Sequence, residues 1–190
     1  MNPLIKADIS VTVSNVMHET DFENGGNGWP VDPNRSIAAD PDGNRRYKIL
    51  NGATGLLDRD FESYVLEFTL KTPAAMPENG GVMYIFDRQD SAGSTRIGYR
   101  TRADGTSGWI LYDTSWQKLA EADVPGLDLQ PDTEYAVKVV VKDGDVAAYV
   151  DGSLRIAGTD PNHRPSGKVG FYVSGFDYLL FDDIRVSLNP

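Results

Sequence analysis

The chain has 190 residues, 40 % hydrophobic and 24 % charged, with a formal net charge of −10 and no cysteine. That length and apolar content suit one domain with its own core, and the acidic balance argues against general affinity for nucleic acid or an anionic membrane, both of which are read by basic surfaces. Without cysteine there is neither a disulfide nor thiolate–metal chemistry.

The opening MNPLIKADIS lacks an apolar stretch long enough for a signal peptide, and nothing further along approaches a membrane span. The chain therefore reads either as a protein kept inside the cell or as a piece of a longer secreted one. Residues Asp8 to Val13 alternate as a strand and echo Asp183 to Leu188 near the other end. Two amphipathic strands resemble one another for no deeper reason than their shared period. Alternatively, residues 1–17 are the linker or terminal strand of a preceding, similar module, and the compact unit is 18–190.

Beyond this point strands are predicted almost everywhere. Period-2 segments rich in Val, Ile, Tyr, Phe and Thr fall at about 45–50, 63–71, 81–87, 95–102, 108–113, 134–142, 145–151, 168–174 and 178–188. Turn chemistry separates them: PDGN, PENGG, SAGS, ADGTSG, KDGD and VDGS. The stretch 135–154 predicts a hairpin turning at Asp143-Gly144. Only SWQKLAEAD, 115–123, has a helical option, and it reads equally well as loop plus strand. Short strands with closely spaced turns predict an all-β, two-sheet antiparallel sandwich of the jelly-roll kind.

Candidate chemistry is sparse. Asp40-Pro-Asp42-Gly-Asn44 starts like an EF-hand loop, but Arg45 and Asn51 stand where glycine and glutamate are required, so a polar turn is the better reading. The two histidines, His18 and His163, lie in no metal-binding spacing, and no nucleophile elbow, phosphate loop or dinucleotide fingerprint is present. The segment 83–102 is locally basic, with Arg88, Arg96, Arg100 and Arg102. Alternation puts Arg96, Arg100 and Arg102 on one strand face and Tyr84 and Arg88 on one face of the strand before it. Trp109, Tyr112 and Trp116 follow. Aromatic faces stack on the C–H side of a pyranose, and guanidinium forks bond hydroxyls or carboxylates. Read one at a time, Trp109 and Tyr84 suit a core as well as a ligand surface. Trp29 with Arg35, Arg45 and Arg46 forms a second candidate.

The opening DFENGGNGW, the middle SYVLEFTLKT, the hairpin YAVKVVVKDGDVAAYVDGSL and the closing SGKVGFYVSGFDYLLFDDIRV together resemble the concanavalin/laminin-G-like jelly rolls, of the carbohydrate-binding type attached to bacterial polysaccharide-degrading enzymes. The resemblance implies a polysaccharide or oligosaccharide ligand, a tethered catalytic domain in a secreted parent chain, an extracellular location and a monomeric module. It also implies a structural calcium held by the Glu of an opening F-E-x-G and an Asp of a closing F-x-D-D. That motif maps onto Glu23 and onto Asp182 or Asp183, with Asn24 as a further oxygen donor. Glycoside hydrolases of this fold class carry an E-x-D-x-x-E string, which this sequence lacks, so binding is expected over hydrolysis or lyase chemistry. The arginines point to an acidic polysaccharide bearing uronate or pyruvate groups, with a neutral fructan or glucan as the alternative ligand. A laminin-G-like spacer or protein-interaction domain is the alternative.

Overall fold

The computed structural model describes residues 15–40, 43–89, 93–122 and 128–189. The strand expected at 8–13 lies outside them. The described residues hold fourteen strands: β1 (Val16–Thr20), β2 (Arg35–Ala39), β3 (Arg45–Leu50), β4 (Thr54–Phe61), β5 (Tyr64–Lys71), β6 (Gly80–Arg88), β7 (Thr95–Thr101), β8 (Ser107–Tyr112), β9 (Lys118–Ala122), β10 (Glu134–Lys142), β11 (Asp145–Val150), β12 (Ser153–Thr159), β13 (Gly167–Ser174) and β14 (Tyr178–Leu188). The order β12-β11-β10-β5-β14-β3-β2, with β1 also on β14, makes an eight-stranded antiparallel sheet. The order β4-β13-β6-β7-β8-β9 makes the six-stranded sheet that faces it. This is the predicted two-sheet all-β sandwich.

Sequence alternation drives the layering. In β5, YVLEFTLK, every second residue is buried, and β10, EYAVKVVVK, behaves in the same way. Their inward faces meet those of β6, β7, β8 and β13, and the centre is a cluster of rings. Phe171 and Phe181, one from each sheet, stack 4.1 Å apart, with Phe68 and Tyr84 edge-on to Phe171. Such offset and edge-on geometries suit the ring quadrupoles.

The β10–β11 hairpin turns where expected. Asp143 and Gly144 both have positive φ, +51° and +86°, as a two-residue turn of matching twist requires. A Cβ at position 144 would also fall 2.3 Å from His163 Nδ1, so only glycine fits. Of the ambiguous 115–123, the described residues 115–122 form a tight turn over 113–117 followed by β9. β1 pairs with the end of β14, Thr20 opposite Ile184, so the two ends of the described domain lie side by side.

Candidate binding cleft on the six-stranded sheet

Strand register decides which basic and aromatic residues share a surface. Directly opposed residues of an antiparallel pair point to the same side of the sheet. Tyr84 opposes Ile97, and Tyr99 opposes Trp109, so all four enter the core. Tyr84 and Trp109 are each 1 % exposed. They are therefore core rings and not ligand contacts, which corrects the expectation for both. Arg96 opposes Ile85 and Tyr112, and Arg100 opposes Gly81 and Gly108, so these two arginines stand on the outward face.

The four arginines do not form one patch. Arg88 closes β6 opposite Lys168 of β13, and it does not line the cleft described below. Arg102 follows β7 and forms an ion pair with Glu121, which also pairs with Lys118. Arg96 is buried beneath the Trp116 ring, its Cζ 3.8 Å from the ring centroid. Burial, and then the nearby charge of Arg88, hold the Arg96 guanidinium below the usual arginine range. Arg100 alone lies open to the cleft. Its Nη1 donates to the Tyr112 hydroxyl at 2.8 Å, and among the described residues no carboxylate pairs with it.

The outward face holds a hollow of about 260 Å³, with Asn79, Arg100, Tyr112, Trp116, Tyr172 and Ser174 among its lining. Trp116 sits at the tip of the β8–β9 turn and is 51 % exposed. The Asp113 carboxylate builds that turn by accepting the amides of Ser115 and Gln117, each at 2.8 Å. Trp116 itself takes a left-handed φ of +64°. Tyr112 and Tyr172 meet the indole edge-on, at 5.6 and 6.3 Å. Asn79, Tyr172 and Ser174 belong to this lining without having been singled out in the sequence. Alternation alone sends Phe171 inward and Tyr172 outward, but placing Tyr172 beside Trp116 requires the non-local β13–β6 pairing, which no local pattern discloses.

The second candidate set dissolves into structure. Trp29 is buried and stacked on Phe171 at 5.2 Å. Arg35 pairs with Asp32 and donates to the Thr54 carbonyl. Arg46 is buried between Asp40 and Glu134, and Arg45 donates its amide to Glu23 Oε1 at 2.8 Å. A larger hollow, about 650 Å³, lies over the eight-stranded sheet and includes Glu67, Thr69, Lys138, Tyr149 and Asp183. Its charges are of both signs, and of its two ring residues Phe68 is packed into the core, leaving Tyr149.

The candidate calcium ligands divide. Asp182 is 3 % exposed, and its oxygens accept the Asn44 side-chain amide at 2.8 Å and the Asp183 amide at 2.9 Å. Burial pushes its carboxyl above the usual range. Glu23 reaches the neighbouring residue, Arg45, so Glu23 and Asp182 both converge on the segment 44–45. Asp183 is exposed, and its carboxylate faces Thr69 at 3.3 Å instead of this cluster. Asn24 is exposed, and the hydrogen bonds to Asp182 come from Asn44 and Asp183. Among the described residues no group of three or more His, Cys, Asp or Glu is placed to hold a metal. Of the expected ligands Asp182 is the one a cation would serve best, because a buried carboxylate met only by the neutral amides of Asn44 and Asp183 gains most from a counter-charge.

This two-sheet architecture is shared with solved jelly-roll sandwiches. The carbohydrate-binding module CBM66 from Bacillus subtilis superposes with a TM-score of 0.61 at 15 % identity, over 84 % of this chain and 95 % of that one. A putative glycosyl hydrolase from Parabacteroides distasonis gives 0.64 at 15 % identity, over 90 % and 98 %. The β-glucanase of Bacillus licheniformis gives 0.64 at 13 % identity, again over 90 % and 98 %. At such identities the likeness is one of fold. No protein-family model matches the sequence, and no curated protein matches it. Modules and enzymes both use this sandwich, so the reading of function rests on the cleft.

Proposed function

We propose that this chain is a non-catalytic carbohydrate-binding module, carried by a secreted polysaccharide-degrading enzyme, whose ligand seats against Trp116 on the six-stranded sheet. The observation that carries this reading is the composition of the cleft: a half-exposed indole, two tyrosines, one guanidinium and an amide, with no carboxylate among its described lining residues. Glycoside hydrolysis ordinarily needs a pair of carboxyl groups flanking the scissile bond. A spacer or adhesive domain has no use for an exposed ring set in a polar hollow. The preferred ligand is an acidic polysaccharide whose uronate or pyruvate group pairs with Arg100. One available cation replaces the four-arginine patch, so selectivity rests on a close contact and not on diffuse attraction within a chain of net charge −10. Such contacts give Kd values from micromolar to millimolar, roughly −8 to −4 kcal/mol, sufficient for a tethered module.

Affinity electrophoresis tests this with polygalacturonate and alginate beside neutral laminarin and levan. Retardation should occur in the acidic gels, weaken as salt rises, and disappear in Trp116→Ala. Arg100→Ala should weaken binding by about 1.5 kcal/mol or more, as expected for a charge-assisted hydrogen bond. Retardation that ignores salt and survives both substitutions would place the ligand elsewhere. Release of reducing ends from any of these polymers, lost in Glu67→Gln or Asp183→Asn, would make the protein an enzyme acting on the opposite sheet.

A further inference from the structure

Arg96 breaks the pattern of the surface it stands on. Around it on the outward face are Ile85 directly opposite, with Met83 and Ile110 along the neighbouring strands, all of them buried. A leucine or methionine at position 96 would continue that apolar strip at no electrostatic cost. The chain instead places a guanidinium there, 6 % exposed. Its Nη1 reaches the Asp113 carbonyl only at 3.5 Å, and among the described residues no carboxylate lies within ion-pair distance. Burying a charge with so little compensation is unfavourable, and departures of this kind concentrate at functional sites.

What the guanidinium does touch is the flat face of Trp116. Tyr112 and Tyr172 meet that indole only edge-on, at 62° and 73°, so Arg96 is the group that defines the plane of the ring. Trp116 needs such support. It stands half in water on a tight turn, with a left-handed backbone that an L-residue occupies at a cost. With one face of the ring on Arg96, the other is left for a ligand.

We propose that Arg96 is a positioning residue of this cleft: its guanidinium seats Trp116 by cation–π stacking and places positive charge directly behind the sugar platform. The assignment rests on the carbohydrate reading above and deepens it, since a platform backed by a cation favours sugars bearing a carboxylate.

The test uses the whole chain in three forms: wild type, Arg96→Met, which keeps bulk without charge, and Arg96→Lys, which keeps the cation. Trp29 and Trp109 are buried, so fluorescence quenching by neutral acrylamide reports on Trp116. Arg96→Met should melt close to wild type, yet its quenching constant should rise about two-fold and its affinity for oligogalacturonate fall about five-fold to ten-fold, the range of a partly desolvated cation–π contact. Arg96→Lys should recover most of both. Equal quenching in wild type and Arg96→Met, or equal losses in the Met and Lys variants, would overturn the assignment. If Arg96→Met does not fold, Arg96→Gln serves as the neutral variant. If wild type binds no oligosaccharide at all, the carbohydrate reading fails, while the quenching comparison still decides whether Arg96 seats the ring.

Discussion

Trp109 and Trp116 stand on one hairpin and do opposite work. Trp109 packs between Tyr84 and Tyr99, with ring centroids 6.3 and 5.9 Å away, whereas Trp116 rests on a guanidinium at the surface. Trp109→Ala should therefore cost about 3–5 kcal/mol of stability, as large-to-small core substitutions do. Trp116→Ala should change stability by no more than about 1 kcal/mol while removing sugar binding. Urea denaturation of the two variants, beside gel retardation, checks the contrast, and similar losses of stability in both would contradict it. The residue types of the site were legible in the sequence, since Arg100, Tyr112 and Trp116 all lie in the basic, aromatic stretch. Their assembly was not. Nothing local distinguishes a tryptophan whose strand position faces inward from one at the tip of the following turn. Nor does composition reveal that Arg102 is neutralised by Glu121, or that Arg96 is roofed by an indole.

Elements differ in how plainly they announce themselves. β5, β10, β11, β13 and β14 are long, alternating and rich in branched and aromatic residues, so their positions follow from period alone. β2 (RSIAA), β9 (KLAEA) and β12 (SLRIAGT) have weak strand propensity and become strands through tertiary pairing at or near sheet edges. β4 runs TGLLDRDF along another edge, where its exposed charges discourage pairing with a second chain. β1 is also short, and its place beside β14 half-buries a titratable group. Burial, and secondarily the charge of Arg59, hold the His18 imidazole below its ordinary value of 6.5. Among the described residues its buried Nε2 has no hydrogen-bond partner. The unfolded chain thus takes up a proton that the folded chain resists, so the stability from this group is complete above pH 6.5 and declines as pH falls below it. Denaturation midpoints measured from about pH 7 down to pH 5 should show that decline, and His18→Gln should flatten it. A slope that persists unchanged in the variant would assign the effect to other groups.

At the scale of the whole molecule, the question is what secures the first strand to the last. Hydrogen bonds between β1 and β14 join them, and just beyond β1 Glu23 and Asp182 converge on Asn44 and Arg45. Phe-Asp-Asp at 181–183 shows how much of this the sequence disclosed. Alternation implied that the two carboxylates would point to opposite faces; instead β14 is irregular between Asp182 and Arg185, where Asp183 takes a φ of +48°, and Asp182 is buried opposite Thr69 while Asp183 is exposed. The amide of Asn44 as partner to Asp182 lay out of reach, because the two are far apart in sequence and meet only through β3–β14 pairing. We propose that a calcium ion bound here, with Asp182 as its buried carboxylate and Glu23 nearby, would stabilise the native state by mass action, since the unfolded chain has no such site. Chelation of the purified protein should then lower its melting temperature, and calcium should restore it. Asp182→Asn separates this from a bare buried carboxylate. Burial raises the Asp182 carboxyl, so in metal-free protein the ionised group opposes folding, and that penalty eases as pH falls and the folded state takes up its proton. Under chelator near neutral pH, Asp182→Asn should accordingly be at least as stable as wild type. With calcium present the order should reverse, and the variant alone should ignore the chelator. Wild-type protein that melts identically with and without chelator, and with calcium added, would leave Asp182 as a carboxylate satisfied by Asn44 and the Asp183 amide alone.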